Sequence, residues 1–547
     1  MNPSPEQQKI ISTIDRELLV IAGPGSGKTR TLVWRIEHMV KADGIDPKNI
    51  VAITFTNAAA GELASRLEHS CGFRIGFVGT LHSFCLRYMI LLPPFHTGFS
   101  VMNEHEEADL IKSVCNSMKF DGTESEIREA LAMGPPAAKS MPSRLELVCK
   151  EIWKTMIRDG TLSFDGILAY FHHLLVKSDK LAFAGYHFLI DEVQDSNPID
   201  LKIYDALPGT KMLVGDTDQS MYSFRGAAPE VILAKARDGV PVLRLEDNYR
   251  CPSVICSAAN RLIGNNSDRI EKLTVSVKDD QATITLNKFD THTAEAVWVN
   301  ELCQKMFALG ESCAVLVRTN ALVNHFRMSI PHGILVEDPK KNDNCPGFYA
   351  MVALLNYLDR PWKNSVAAKA CSYFAPEASA SIARAAAQDA CTINEVWKNE
   401  HQHVLHEIPG AMLRYGITPE ARQLAMEAIE RLPLGASISD LLLSLHHRSE
   451  EPVSVSAAGL VTISTIHRAK GLEWDHVILP AFEQEVIPAK RALEEERRIA
   501  YVAVTRAKKS LHISHAASRQ SPFGFRQIQQ HSPSQFIEEM QLQLSNA

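Results

Sequence analysis

No run of about 18 apolar residues, the length that a membrane-crossing helix requires, occurs in the 547 residues. No membrane partner is therefore expected. An excess of positive charge is also missing: 57 Lys+Arg stand against 64 Asp+Glu, a net charge of −7. That balance excludes a protein that coats nucleic acid through bulk charge, though not a local basic groove inside an acidic shell. The opening Met-Asn-Pro-Ser-Pro-Glu-Gln-Gln lacks the basic stretch and apolar core of a secretory signal, so a cytoplasmic location is expected. The 11 cysteines have no paired metal spacing. Cys251 and Cys256 are the closest two, and no second pair matches them, which points to reduced thiols. His401, His403 and His406, like the pairs His172–His173 and His446–His447, lack cysteine or carboxylate neighbours at ligand spacing. They read as solvated helix faces, and no structural metal is expected. With 45% hydrophobic and 22% charged residues, the chain has an ordinary globular composition, long enough for about three or four domains.

What is present is a rhythm of short apolar runs and helical stretches. Glu17–Ile21 ends in a glycine loop, a helical segment covers Thr29 to about Lys41, and Val51–Phe55 follows as a second strand. This is the βαβ pattern of a parallel sheet. The pattern turns helical and charged from about Pro93 to Lys177, and strands return at Tyr186–Ile190 and Lys211–Val214. The second half repeats the plan. Strands are expected at Ala282–Leu286 and Cys313–Val317, then an Ala-rich helical block over about Gly347 to His447, then strands at Leu460–Ser464, His476–Leu479 and Ser510–Ile513. The fold class is α/β, with two parallel-sheet cores that each carry a helical insertion. The expected boundaries are 1–90 and 179–247 for the first core, interrupted by insertion 91–178. The second core covers 248–338 and 457–525, interrupted by 339–456, and 526–547 form a tail.

Ala22-Gly23-Pro24-Gly25-Ser26-Gly27-Lys28-Thr29 lies between strand and helix, where a phosphate loop must sit. Its glycines let backbone N–H groups approach phosphates, Lys28 would reach the β/γ-phosphates and Thr29 would hold Mg²⁺. Ala22 replaces the glycine of the strict pattern. Phe188-Leu189-Ile190-Asp191-Glu192 places two carboxyls at a strand end. Asp191 would hold the metal's shell and Glu192 would act as general base, so the chemistry expected is hydrolysis of ATP with Mg²⁺.

Further stretches extend this set in a fixed order. They are Pro5-Glu6-Gln7-Gln8, Phe55-Thr56-Asn57-Ala58-Ala59-Ala60, Gly79-Thr80-Leu81-His82-Ser83-Phe84, Asp191–Asp195, Val214–Gly226, Asn248-Tyr249-Arg250, Thr465–Glu473 and Glu496–Ala507. Together with the phosphate loop they resemble the UvrD/Rep/PcrA group of superfamily 1 DNA helicases, from Pro5 to about Lys509. The resemblance implies two RecA-like motor domains with ATP between them. It implies that Gln7 reads the adenine, that Tyr249 stacks on it, and that Arg30 and Glu473 also line the nucleotide. It gives Gln219 the part of γ-phosphate sensor, and Arg250 and Arg506 that of arginine fingers. It places DNA against Phe55, Asn57, His82, Tyr222, Phe224 and Arg225 on one side and Thr465 and His467 on the other.

The implied activity is ATP-dependent 3′→5′ movement on single-stranded DNA and unwinding at single/double-strand junctions, in repair or recombination. Ala58 stands where many members carry lysine, and Phe224 where many carry tryptophan. The 215 positions between Arg250 and Thr465 imply a reduced second insertion. The 38 residues after Lys509 leave no room for a fused nuclease. A second reading is therefore a sensing subunit that switches a separate nuclease or repair-factor partner.

Overall fold

The computed structural model describes residues 2–13, 15–89, 100–102, 104–136, 142–177, 183–223, 226–227, 229–278, 282–330, 333–335, 350–352, 354–355, 408–414, 417–432, 441–442, 445, 461–490, 492–520 and 528–544. Its first sheet contains β1 (Glu17–Ala22), β2 (Ile50–Thr54), β3 (Phe77–Thr80), β6 (His187–Ile190), β7 (Thr210–Gly215) and β8 (Val242–Leu245), in the order β3-β2-β6-β7-β1-β8. Every pairing is parallel. Such a sheet is covered on both faces, so its strands are nearly continuous Val, Ile and Leu rather than alternating. β1 and β2 accordingly bury all or almost all of their residues. α2 (Lys28–Lys41) and α3 (Asn57–Cys71) flank this sheet and turn Leu32, Ile36, Leu63 and Leu67 inward. α3 starts at Thr56, whose hydroxyl accepts from the Ala59 N–H.

Between β3 and β6 the chain leaves the sheet, as expected, for a helical insertion. It holds α5 (Glu104–Met118), α6 (Glu124–Ala132), α7 (Arg144–Asp159) and α8 (Phe164–Lys177), with a small pairing of β4 (Ser100–Val101) and β5 (Thr161–Leu162). Ser143 and Glu146 form a capping box that fixes the start of α7. Ile152, Trp153, Met156 and Phe171 fuse the insertion to the core beneath the first sheet.

A short parallel pair, β9 (Asp247–Asn248) with β10 (Val275–Ser276), leads into the second lobe. Its sheet contains β11 (Thr283–Thr291), β12 (Cys313–Val317), β13 (Gly333–Leu335), β14 (Val461–Thr465), β15 (Trp474–Leu479) and β16 (Ala507–Gln520), in the order β11-β16-β15-β12-β14-β13. β17 (Ile528–Gln530) adds antiparallel to β16. Most of the expected Ala-rich block lies outside the described residues; the described part, including Ile408–Arg414 and Pro419–Arg431, packs around Met351, Met412, Leu424 and Leu441.

One expectation is corrected. Residues 526–547 were expected as a tail, yet β17 joins the sheet and helix Gln535–Glu539 buries Phe536 and Met540 at 0% exposure in the core of the second lobe. Two aromatic and sulfur side chains hidden from water anchor this end. Among the described residues no group of three or more His, Cys, Asp or Glu is placed to hold a metal ion, and no helix is long and apolar enough to cross a membrane.

Candidate nucleotide and DNA site

The phosphate loop joins β1 to α2. Gly25 and Gly27 adopt φ of 67° and 78°, the left-handed conformation that turns successive N–H groups toward one point. Space also demands glycine at 25, because a Cβ there would lie 2.5 Å from Arg250 Cβ. Ser26 Oγ is buried inside the loop with no hydrogen-bond partner. α2 opens at Lys28 without a side-chain cap, leaving an N-terminal end suited to an anion. A Gly25→Ala change combines backbone strain with a clash. It is expected to cost about 1–3 kcal/mol, read as a roughly 5- to 150-fold loss of ATP affinity by fluorescent-nucleotide titration.

β6 delivers the carboxyl pair to the same place. Lys28 Nζ lies 2.6 Å from Glu192 Oε1. Glu192 has φ 54°, a costly conformation for a residue with a Cβ, and such outliers cluster at functional sites. The two carboxyls are electrostatically unlike. Burial, and then the neighbouring Glu192 charge, push Asp191 up to about 6. Burial opposes ionisation of Glu192 too, but the ammonium groups of Lys28 and Lys470 hold it down to about 2. One group would be relieved by a cation, while the other stays a carboxylate able to accept a proton. Gln194 ties this pair to the next strand: its Nε2 donates to Glu192 and to Asp195, and its Oε1 accepts from the Asp216 N–H at 2.9 Å.

The second lobe reaches into this cleft. Arg506, directly after helix Leu493–Val504 and its Thr505 cap, is 2% exposed, and its Nη2 donates to Gln219 Oε1 at 3.4 Å. Burial, and then the neighbouring Arg250, pull Arg506 down to about 9. Arg250 lies against Gly25 and donates through Nε to Glu473 at 2.6 Å. Glu473, expected to line the nucleotide, is thus occupied by Arg250 and by Lys508 at 2.7 Å.

Two residues lie against the loop, and a third follows it on α2. Tyr249 is 37% exposed and its ring lies 4.0 Å from the Cβ position of Gly27, while its N–H donates to Gly25 O at 2.9 Å. Gln7 donates to Ser26 O at 3.4 Å, and its Oε1 accepts from the Ser4 N–H in the capping box of α1 (Pro5–Ser12). Arg30, in the first turn of α2, lies over the Trp34 ring at 5.9 Å.

Of the residues expected to touch DNA, the structure gathers three across the cleft. Phe55 and Tyr222 stack with ring centres 5.7 Å apart, and the Tyr222 hydroxyl donates to His467 O at 3.3 Å. His82 stacks instead on Phe164 of the first insertion at 3.8 Å. Asn57 and Thr465 are buried at the start of α3 and the end of β14. Phe224 and Arg225 lie outside the described residues. Lys470 was given no part in advance, yet its Nζ bridges Asp195 at 2.5 Å and Gln219 O at 2.8 Å, 5.2 Å from the Tyr222 ring centre. Arg269 and Lys272 were also missed. Each is a lone cation in a polar stretch, and no local spacing distinguishes it from a surface residue.

Two parallel-sheet lobes with a phosphate loop and an acidic strand end on one, and two arginines offered by the other, define a protein of the RecA-type helicase class. Residues 3–239 match the model of the UvrD/REP helicase N-terminal domain, and residues 243–332 and 423–518 match that of the UvrD-like helicase C-terminal domain. The chain belongs to the UvrD-like DNA helicases and is an enzyme of that kind. It is 27% identical to the probable DNA helicase II homolog of Rickettsia conorii, over 98% of this chain and 95% of that protein. It is 28% identical to the ATP-dependent DNA helicase PcrA of Bacillus subtilis, over 94% and 83%, and 28% identical to DNA helicase II of Escherichia coli, over 98% and 87%.

Proposed function

We propose that this helicase is a motor that hydrolyses ATP between its two lobes, moves 3′→5′ along single-stranded DNA and separates duplex at single/double-strand junctions during repair or recombination. The observation that carries the reading is the Arg506–Gln219 contact, which brings a buried guanidinium of the second lobe to the end of the phosphate-loop sheet. Two guanidiniums crowded in one cleft, with Arg506 depressed by burial, are an arrangement that an incoming phosphate anion would relieve.

The residues fit a magnesium nucleotide. A half-buried Asp191 carboxyl with a raised pKa ends its strand next to Glu192, and an orphaned Ser26 hydroxyl lies in a loop whose Gly25 and Gly27 take left-handed φ. Thr29 and Asp191 would hold Mg²⁺, which supplies charge neutralisation on the transferring phosphate. Gln7, Arg30 and Tyr249 would seat the base, and residues 22–29 the phosphates. Lys28 would leave Glu192 for the β/γ-phosphates, which frees Glu192 to take a proton from the attacking water. Arg250 and Arg506 would stabilise charge on the phosphoryl group only when the lobes close, so hydrolysis and closure are one event. Closure shifts Phe55 and Tyr222 relative to Thr465 and His467, and bases stacked on aromatic rings are gripped without regard to sequence.

Strand-displacement assays with the purified chain on 3′-tailed and 5′-tailed duplexes test this directly. Unwinding of the 3′-tailed substrate alone is expected. Preference for the 5′ tail would reverse the polarity, and DNA-stimulated ATPase without strand separation would favour a sensing subunit that serves a nuclease or repair factor.

A further inference from the structure

Three buried charged side chains and a half-buried arginine, Arg269, are joined beside the cleft. The side chains of Asp216 and Asp218 have 0% exposure and that of Lys272 has 1%. Lys272 Nζ reaches Asp216 Oδ1 at 2.7 Å and also pairs with Asp218. Arg269 donates to both oxygens of Asp218, at 3.0 and 2.6 Å. The cations belong to the stretch between α11 (Ser253–Ile263) and β10, and the anions to the turn after β7. Two charges of each sign make the burial tolerable, but a buried ion cluster adds little net stability over an apolar one of the same volume. Its worth lies in the geometry it imposes.

That geometry leads to Gln219. The second Asp216 oxygen, Oδ2, accepts from Gln219 Nε2 at 2.7 Å, while Oδ1 accepts from the Asp218 N–H at 3.0 Å. With its amide nitrogen engaged, Gln219 turns Oε1 toward Arg506 Nη2. A glutamine amide reversed end for end would present N–H groups to a guanidinium, donor against donor. The same Lys272 also backs the phosphate loop, with Cε 3.6 Å from the Cβ position of Gly23.

We propose that Lys272 is a positioning residue for ATP turnover: it locks the Asp216 carboxylate, and through it holds the Gln219 amide with Oε1 toward Arg506 and Nε2 on Asp216, which leaves the second Nε2 hydrogen for the γ-phosphate. The inference rests on the reading of Gln219 as the γ-phosphate sensor. A Lys272 that acts this way is felt only when a γ-phosphate is present.

The test compares wild type, Lys272→Met, Gln219→Ala and the double variant in ATPase assays with oligo(dT), alongside ADP and AMP-PNP affinities. Lys272→Met is expected to lower kcat and AMP-PNP affinity by about tenfold, with ADP affinity within about twofold of wild type. Its effect should vanish in the Gln219→Ala background, since both act on one contact. Should Lys272→Met fail to fold, Lys272→Met with Asp218→Asn restores the local charge balance and is expected to show the same loss. Equal weakening of ADP and AMP-PNP, additivity with Gln219→Ala, or an unchanged kcat would overturn the inference. Wild type that hydrolyses no ATP with DNA would instead bring down the functional reading beneath it.

Discussion

Replacement of Lys28 by alanine is expected to lower DNA-stimulated ATP hydrolysis by about 10²–10³-fold, the range for loss of one charge aimed at a transition state in a dry site. Lys28 carries two burdens. Its ammonium lies 2.6 Å from Glu192 on a side chain only 14% exposed, so removal strips the cation proposed for the phosphates and leaves Glu192 without its main counter-charge. Burial alone would lower the Lys28 pKa, but Glu192 and Asp191 together keep it raised. The lysine therefore stays charged across the working pH range and its loss has no pH remedy. Steady-state phosphate release with saturating oligo(dT) checks this, with thermal unfolding as the control for folding. A rate within about tenfold of wild type would mean that phosphate is held elsewhere.

The second large effect belongs to Arg506. An arginine finger contributes about 10³–10⁵-fold to kcat in phosphoryl transfer, so with Arg506 in the proposed finger role, Arg506→Ala is expected to reduce kcat by at least about 10³-fold while ADP still binds. Arg506→Lys should recover little, because the side chain is held by a fork: Nε donates to Val502 O at 2.8 Å, and Nη1 and Nη2 to Leu472 O and Gln219 at 3.3 and 3.4 Å. A lysine supplies one compact charge and cannot span those acceptors. Single-turnover hydrolysis, with ADP affinity measured in parallel, separates loss of chemistry from collapse of the cleft. If kcat falls no further for alanine than for a surface arginine, the second lobe takes no part in the reaction.

Much of the fold was legible because parallel strands buried on both faces are short unbroken apolar runs. Val51–Phe55, Tyr186–Ile190 and Cys313–Val317 anticipate β2, β6 and β12 to within a residue. β8 was missed because Arg244 interrupts its apolar run, and Arg244 is accommodated by donating to Glu271 O at 2.9 Å. The far half of β16 was missed for a related reason. It is buried by charge rather than by hydrocarbon, with Arg519 enclosed between Glu295 and Glu483. Polar residues that are buried in pairs look like surface when read singly. The site divides in the same way. The phosphate loop and the Asp191–Glu192 pair are contiguous and carry their chemistry in local spacing. Lys272 meets Asp218 from 54 residues away and Lys470 meets Asp195 from 275 residues away, so only the folded chain reveals either partner.

The two sheets also differ in when their strands leave the ribosome. All six strands of the first sheet are complete by Leu245. β16, by contrast, lies between β11 and β15 in the second sheet, and Phe536 and Met540 close its core from the far end of the chain. During synthesis the first lobe can therefore settle while the second still lacks an interior strand, and domains made early generally fold as units. The phosphate loop is made long before Arg506, so a competent cleft can form only after the segment that carries Arg506 has emerged.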